Sequence, residues 1–127
     1  MIDTVYVLER DADERRWIES ALARQVRELI FLDDGRTLPD WLWLQGGDGL
    51  VCGAEPDPDC ALELVRSLRR IGQPLPVLMI GAHSAFRTAV ELARLPGTDF
   101  LQHPVSAQRL CAALHRLIGR AKTTTLH

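Results

Sequence analysis

Gly49-Leu-Val-Cys-Gly-Ala-Glu-Pro-Asp-Pro-Asp59 is the stretch that decides the fold. Its first residues form a short unbroken apolar run, Leu50-Val-Cys52, as expected of a strand covered on both faces. The run stops at Gly53, and a loop rich in proline and aspartate follows. Beyond it, Ala61, Leu64, Val65 and Leu68 recur at i, i+3, i+4 and i+7, which predicts an amphipathic helix from about Asp59 to Ile71. Asp59, after Pro58, suits the N-cap or first turn of that helix, where an acid meets the positive end of the dipole.

The same strand-then-helix alternation extends in both directions. Thr4–Leu8 predicts the first strand, and Asp11–Arg24 a helix with Trp17, Ile18, Ala21 and Leu22 on its inner face. Leu29–Leu32 predicts a second strand ended by Asp33-Asp-Gly35, and Thr37–Leu44 a short helix bounded by Pro39 and Gly46. Trp41 and Trp43 fall on opposite sides of that helix, so one should pack inward and the other face solvent. Val77–Ile80 is the fourth strand. Ser84 to about Leu95 is a helix with Ser84 as N-cap, ended by Pro96-Gly97. Asp99–Leu101 is a fifth strand, and a last helix runs from Ala107 to about Arg120, capped by Ser106 and turning Leu110, Leu114 and Leu117 inward. Residues 1–121 read as one domain and 122–127 as a frayed tail. Five such alternations predict an α/β fold with a doubly wound parallel sheet and helices on both faces. Its working site should lie at the carboxyl ends of the strands, at the switch point.

Composition narrows the functional classes. The 127 residues carry 46% apolar and 25% charged side chains, ordinary for a single globular domain with one sizeable core. A net charge of −2 offers no basic footprint for nucleic acid. No apolar run reaches the roughly 20 residues that span a bilayer. Met1-Ile-Asp-Thr4 carries no signal peptide, so the expected compartment is the cytoplasm. Cys52, Cys60 and Cys111 form no CxxC pair and make no ligand cluster with the four histidines, so no metal and no cofactor is expected. Reduced thiols packed as small hydrophobes account for them, and a redox role for Cys52 has nothing specific behind it. Arg66, Arg69, Arg70, Arg87 and Arg94 read as a solvated face beside the third and fourth helices.

Val5-Tyr-Val-Leu-Glu-Arg-Asp11, Leu50-Val-Cys-Gly53, Leu75-Pro-Val-Leu-Met-Ile-Gly-Ala-His83 and Thr98-Asp-Phe-Leu-Gln-His-Pro104 together resemble the receiver domains of bacterial response regulators in two-component signal transduction. The likeness is greatest to receivers of LuxR-type or enhancer-binding transcription regulators. The order and spacing of the pieces carry it over residues 4 to 120, with 28 residues from Gly53 to Gly81 and 22 more to His103. It implies a flavodoxin-like sheet of order 2-1-3-4-5. It also implies an acidic pair for Mg²⁺ after the first strand, a phosphoacceptor aspartate after the third, a hydroxyl after the fourth and a lysine after the fifth. Phosphoryl transfer needs such a metal, such cations and an in-line nucleophile.

Here the acidic pair matches Glu9 and Arg10, the phosphoacceptor Gly53, the hydroxyl Gly81 and the lysine His103. Phe100 matches the aromatic that swings on activation, with core packing as its plainer role. Pro104 matches a proline whose preceding bond is cis in the family. The resemblance thus implies a pseudo-receiver. It has no catalytic residues and is not an enzyme. It is not phosphorylated, and it acts through a protein partner or as a homodimer on the helix 4–strand 5–helix 5 face, with no nucleic acid or membrane contact of its own. A transcription output, attached or separate, is what it would regulate. Glu9 should pair with Arg10 or solvent. The alternative is a working phosphorelay receiver with Asp57 or Asp59 as acceptor. A third reading takes Gly53 and Gly81 as vacating space for an anion, faced by Arg10 and His103.

Overall fold

The computed structural model describes residues 1–125. Strands β1 (Ile2–Leu8), β2 (Val26–Phe31), β3 (Gly49–Gly53), β4 (Val77–Gly81) and β5 (Thr98–Gln102) alternate with helices α1 (Ala12–Leu22), α2 (Leu38–Gln45), α3 (Pro58–Arg70), α4 (Phe86–Leu92) and α5 (Ala107–Thr125). All strand pairs are parallel, in the order β2-β1-β3-β4-β5. This is the doubly wound, flavodoxin-like order that the alternation and the resemblance imply.

The period-2 alternation of a pleated strand splits the core into two layers. Val5, Val7, Val51, Leu78, Ile80 and Leu101 face α1 and α5, where Ile18, Leu22, Leu110 and Leu114 meet them. Tyr6, Leu50, Cys52, Val77 and Met79 face the other way, onto Leu38 of α2, Val65 and Leu68 of α3, and Leu92 of α4. β3 and β4 are buried on both faces almost throughout, which is why they read as unbroken apolar runs.

Local signals set the element ends, with several departures from the sequence reading. The Asp11 side chain caps α1 through the amides of Asp13 and Glu14, and Ser106 Oγ accepts from Arg109 N–H at 3.1 Å at the start of α5. Gly46 ends α2 with φ +69°, a conformation glycine adopts without the Cβ clash. The cap of α3 is Asp57, which accepts from Cys60 N–H at 3.1 Å; Asp59 lies in the first turn. Leu62, not Leu64, joins Ala61, Val65 and Leu68 in the buried stripe, and Leu64 is only partly covered. Ser84 caps nothing. It sits inside a 3₁₀ turn, His83–Ala85, that leads into α4. That helix stops at Leu92, short of Pro96, which has no N–H to continue the ladder, and the Thr98 hydroxyl meets the carbonyls of Leu92 (2.8 Å) and Leu95 (2.9 Å). With no glycine or proline in residues 120–125, α5 continues to Thr125, so residues 122–125 of the expected tail are helical. Residues 126–127 lie outside the described residues.

Arg69 is not part of a solvated face. Its guanidinium donates to the carbonyls of Gln73, Leu75 and Pro96 at 2.8 Å and of Gly97 at 3.2 Å, fastening the end of α3 to the segments that enter β4 and β5. Arg66, Arg70 and Arg94 do lie at the surface, paired with Glu91, Glu63 and Glu91. Trp41 packs a tilted ring on Tyr6 with centroids 6.4 Å apart, while Trp43 is 88% exposed. Truncating Leu114, fully buried between α5 and the sheet, should lower unfolding stability in urea by about 2–5 kcal/mol. Trp43→Ala should change it by no more than about 0.5 kcal/mol.

Candidate functional site

β1 and β3 are neighbours at the point where the chain reverses its winding, so the loops after them flank a crevice at the carboxyl edge of the sheet. The register Leu8↔Cys52 carries Glu9 alongside Gly53. Glu9 does not pair with Arg10. Its side chain folds over Gly53, with Oε1 inside contact distance of where a Cβ would stand and Cδ 2.8 Å from that point. Its Oε2 accepts from Asp11 N–H at 3.1 Å. Desolvation, aided by the nearby charges of Glu14 and Asp11, raises the Glu9 carboxyl above the ordinary glutamate value, and backbone amides oppose this only in part.

Gly81, the next position of interest, is equally crowded. A Cβ there would stand 2.8 Å from Ala54 Cβ and 2.9 Å from Phe100 Cζ. Phe100 is held against the Ala54 and Met79 layer. The two glycines therefore do not vacate space. Glu9 fills one position and the Phe100 ring the other. Of the two cations expected to face a vacated anion site, Arg10 lines the same crevice as Gly53 and Glu9, whereas His103 is turned to α1, its Nε2 3.4 Å from Glu14 Oε2. The His103–Pro104 bond is cis.

Two participants were missed in the sequence. Glu55 reaches from the β3–α3 loop to accept from Ala82 N–H at 3.1 Å, tying that loop to the end of β4. Its position two residues past the strand was the signal. Glu14 looks like any first-turn acid, and only folding brings it to His103. The Glu55–Pro56 bond is also cis. Asp57 spends its carboxylate on the α3 cap. Cys52 is buried, and desolvation pushes its thiol up to about 12, so it stays a protonated core residue. Among the described residues no group of three or more His, Cys, Asp or Glu is placed to hold a metal ion. No described helix is long and apolar enough to cross a membrane.

A backbone of this order with a crevice at these strand ends has many relatives. The nitrogen assimilation regulatory protein NtrX of Azorhizobium caulinodans is 32% identical over 111 residues, covering 86% of this chain and 19% of the relative. The transcriptional regulatory protein FixJ of Bradyrhizobium diazoefficiens is 28% identical over 119 residues, covering 93% of this chain and 58% of the relative. The crystal structure of the N-terminal signal receiver domain of a two-component response regulator from Bacteroides fragilis superposes with a TM-score of 0.81 at 16% identity, covering 93% of this chain and 98% of that one. The chain carries a response regulator receiver domain. No model of a known protein family matches it. It spans only part of the curated relatives it matches, from 19% to 58% of their length.

In this receiver domain the two glycines differ in how they resist change. At Gly53 the obstacle is the far end of a flexible side chain, whereas at Gly81 it is a Cβ and an aromatic ring. Gly53→Ala should therefore be nearly neutral in urea unfolding. Gly81→Ala should cost about 1–3 kcal/mol and recover part of that in a Phe100→Leu background. Glu9 gives a pH dependence of definite sign. A folded-state carboxyl raised above its unfolded value costs stability at all pH above the raised value, and the cost disappears as pH falls through it. Glu9→Gln should thus stabilise at neutral pH and lose that advantage in acid, as read from urea midpoints along a pH series. In the native state iodoacetamide should alkylate the exposed Cys60 and spare Cys52, as checked by peptide mass spectrometry.

Proposed function

We propose that this receiver domain is a pseudo-receiver, a non-enzymatic module that is not phosphorylated and works through protein contacts. The observation that carries the reading is the Glu9 carboxylate folded over Gly53, where a phosphoacceptor side chain would project. An acceptor aspartate, a hydroxyl and a lysine are absent at Gly53, Gly81 and His103 together, which removes the nucleophile and the groups that would neutralise phosphate oxygens.

Residues 1–121 form the signalling unit in this reading, and its partner is a protein or a second copy. The surface offered is that of α4, β5 and α5, where Phe86 (67% exposed) and Val90 (42%) share one face of α4 at i, i+4 spacing. The names of FixJ and the other regulators support a transcription output, attached or separate, as what the module controls. The competing reading, phosphate accepted on Asp57 or Asp59, is disfavoured because Asp57 is committed to the α3 cap and Asp59 to the first helical turn beside it.

Titration of the labelled domain with Mg²⁺ and then beryllofluoride should leave the amide ¹H–¹⁵N spectrum unchanged. Saturable, magnesium-dependent shifts around residues 9–11, 53–59 and 81–84 would overturn the reading in favour of a live acidic site.

A further inference from the structure

A groove of about 460 Å³ runs between α3 and the β2–α2 segment, within the size range of ligand-binding clefts. Its floor is apolar: Leu8 at the end of β1, and Leu64 and Leu68 on α3, with Ile71 at the open end 66% exposed. Gly35 sets its depth, since a Cβ there would stand 3.0 Å from Leu64 Cδ2 and 3.1 Å from Leu8 Cδ2. Pro39 lines the α2 wall, and Trp43 follows it at i+4 on the same helix face, carrying the apolar surface outward.

The lining is strongly acidic. Six carboxylates against two guanidiniums give a formal charge of −4, compared with −2 for the whole chain. One of the two guanidiniums, Arg36, is held by Asp34 at 2.7 Å, and of the carboxylates Glu63 is answered by Arg70 on α3. Asp33, on the exposed rim, makes no ion pair among the described residues, and Glu55 and Asp57 bind only backbone amides. A partner that covers the apolar floor must therefore bring cations to the rim, because leaving these carboxylates desolvated and unpaired is costly.

We infer that this groove is a docking site for a basic amphipathic segment of a protein partner, one that lays leucine-sized side chains on Leu64 and Ile71 and sets lysine or arginine against Asp33, Glu55 and Asp57. It lies on the α2–α3 side of the molecule, apart from the α4–β5–α5 face, and because it includes Gly53 and Asp57 it rests on the reading that Asp57 carries no phosphate.

A fluorescein-labelled amphipathic lysine–leucine peptide tests it, by anisotropy and by amide shift mapping on the full chain without magnesium. Expected are saturable shifts at Gly35, Leu64, Leu68, Ile71 and the Trp43 indole. Raising the salt should weaken binding several-fold, and Ser67→Arg, which places a cation on the exposed groove wall, at least tenfold. Ser67→Ala should bind as the native chain does. Four outcomes would overturn the inference: no saturable shifts or shifts on another face; equal binding of a glutamate–leucine peptide; equal displacement of the groove signals by spermine alone, marking a simple cation site; or groove shifts that depend on protein concentration without peptide, marking a second copy as the occupant.

Discussion

Close approach at the carboxyl ends of β3 and β4 constrains everything that happens at the switch point. Gly53 and Gly81 lack a Cβ, and the neighbours have moved into that space: the Glu9 carboxylate over one, the Phe100 ring and Ala54 over the other. Protein interiors leave few voids, so a missing side chain in a packed layer becomes a contact rather than a cavity. The consequences differ because the intruders differ. Glutamate can swing aside at little cost, while a phenyl ring wedged between strands cannot. Gly81 is thus a rigid point of the core and Gly53 an adaptable one.

The electrostatics of the crevice follow from the same packing. Folding Glu9 over the end of β3 takes its carboxylate partly out of water and toward Glu14 and Asp11, so the group is destabilised as an anion. Cys52 beneath it is pushed further, by burial first and by Glu9 second. Glu14 of α1 approaches His103 at 3.4 Å, and Glu55 accepts from the Ala82 amide, which ties the loop after β3 to the end of β4. A site organised in this way holds its own carboxylates in place. The remaining negative charge is displayed toward α2 and α3, next to apolar floor residues, and that combination distinguishes the groove there from ordinary solvated surface.

Much of the architecture was legible because burial on both faces forces a simple pattern. Leu50-Val-Cys52 and Val77–Ile80 read as strands, and the stripes of α3 and α5 as helices, since their hydrophobic periods leave little ambiguity. The failures fall where side chains compete for backbone groups. The sequence cannot say that Asp57 rather than Asp59 caps α3, since both stand beside Pro58 and either could reach a free amide. Nor does it reveal that the Thr98 hydroxyl meets the carbonyls at the end of α4, or that Arg69 binds four carbonyls from segments up to 28 residues away. Arg69 sits among other arginines on an amphipathic helix and carries no local mark of burial.

The sequence by itself determined the strands, their alternation with helices and the identity of the residues at each strand end, because these depend on hydrophobic period, connection length and chain chirality, while the order of the strands was implied by the family resemblance. It also determined which chemical groups are absent at Gly53, Gly81 and His103. What filled those places was decided only by the tertiary structure. Whether a glycine opens a cavity or admits a neighbour depends on which side chains, distant in sequence, converge there. That is a matter of close packing in three dimensions, which no local pattern encodes. The same holds for His103, expected to face that site beside Arg10 and instead turned to Glu14 on α1.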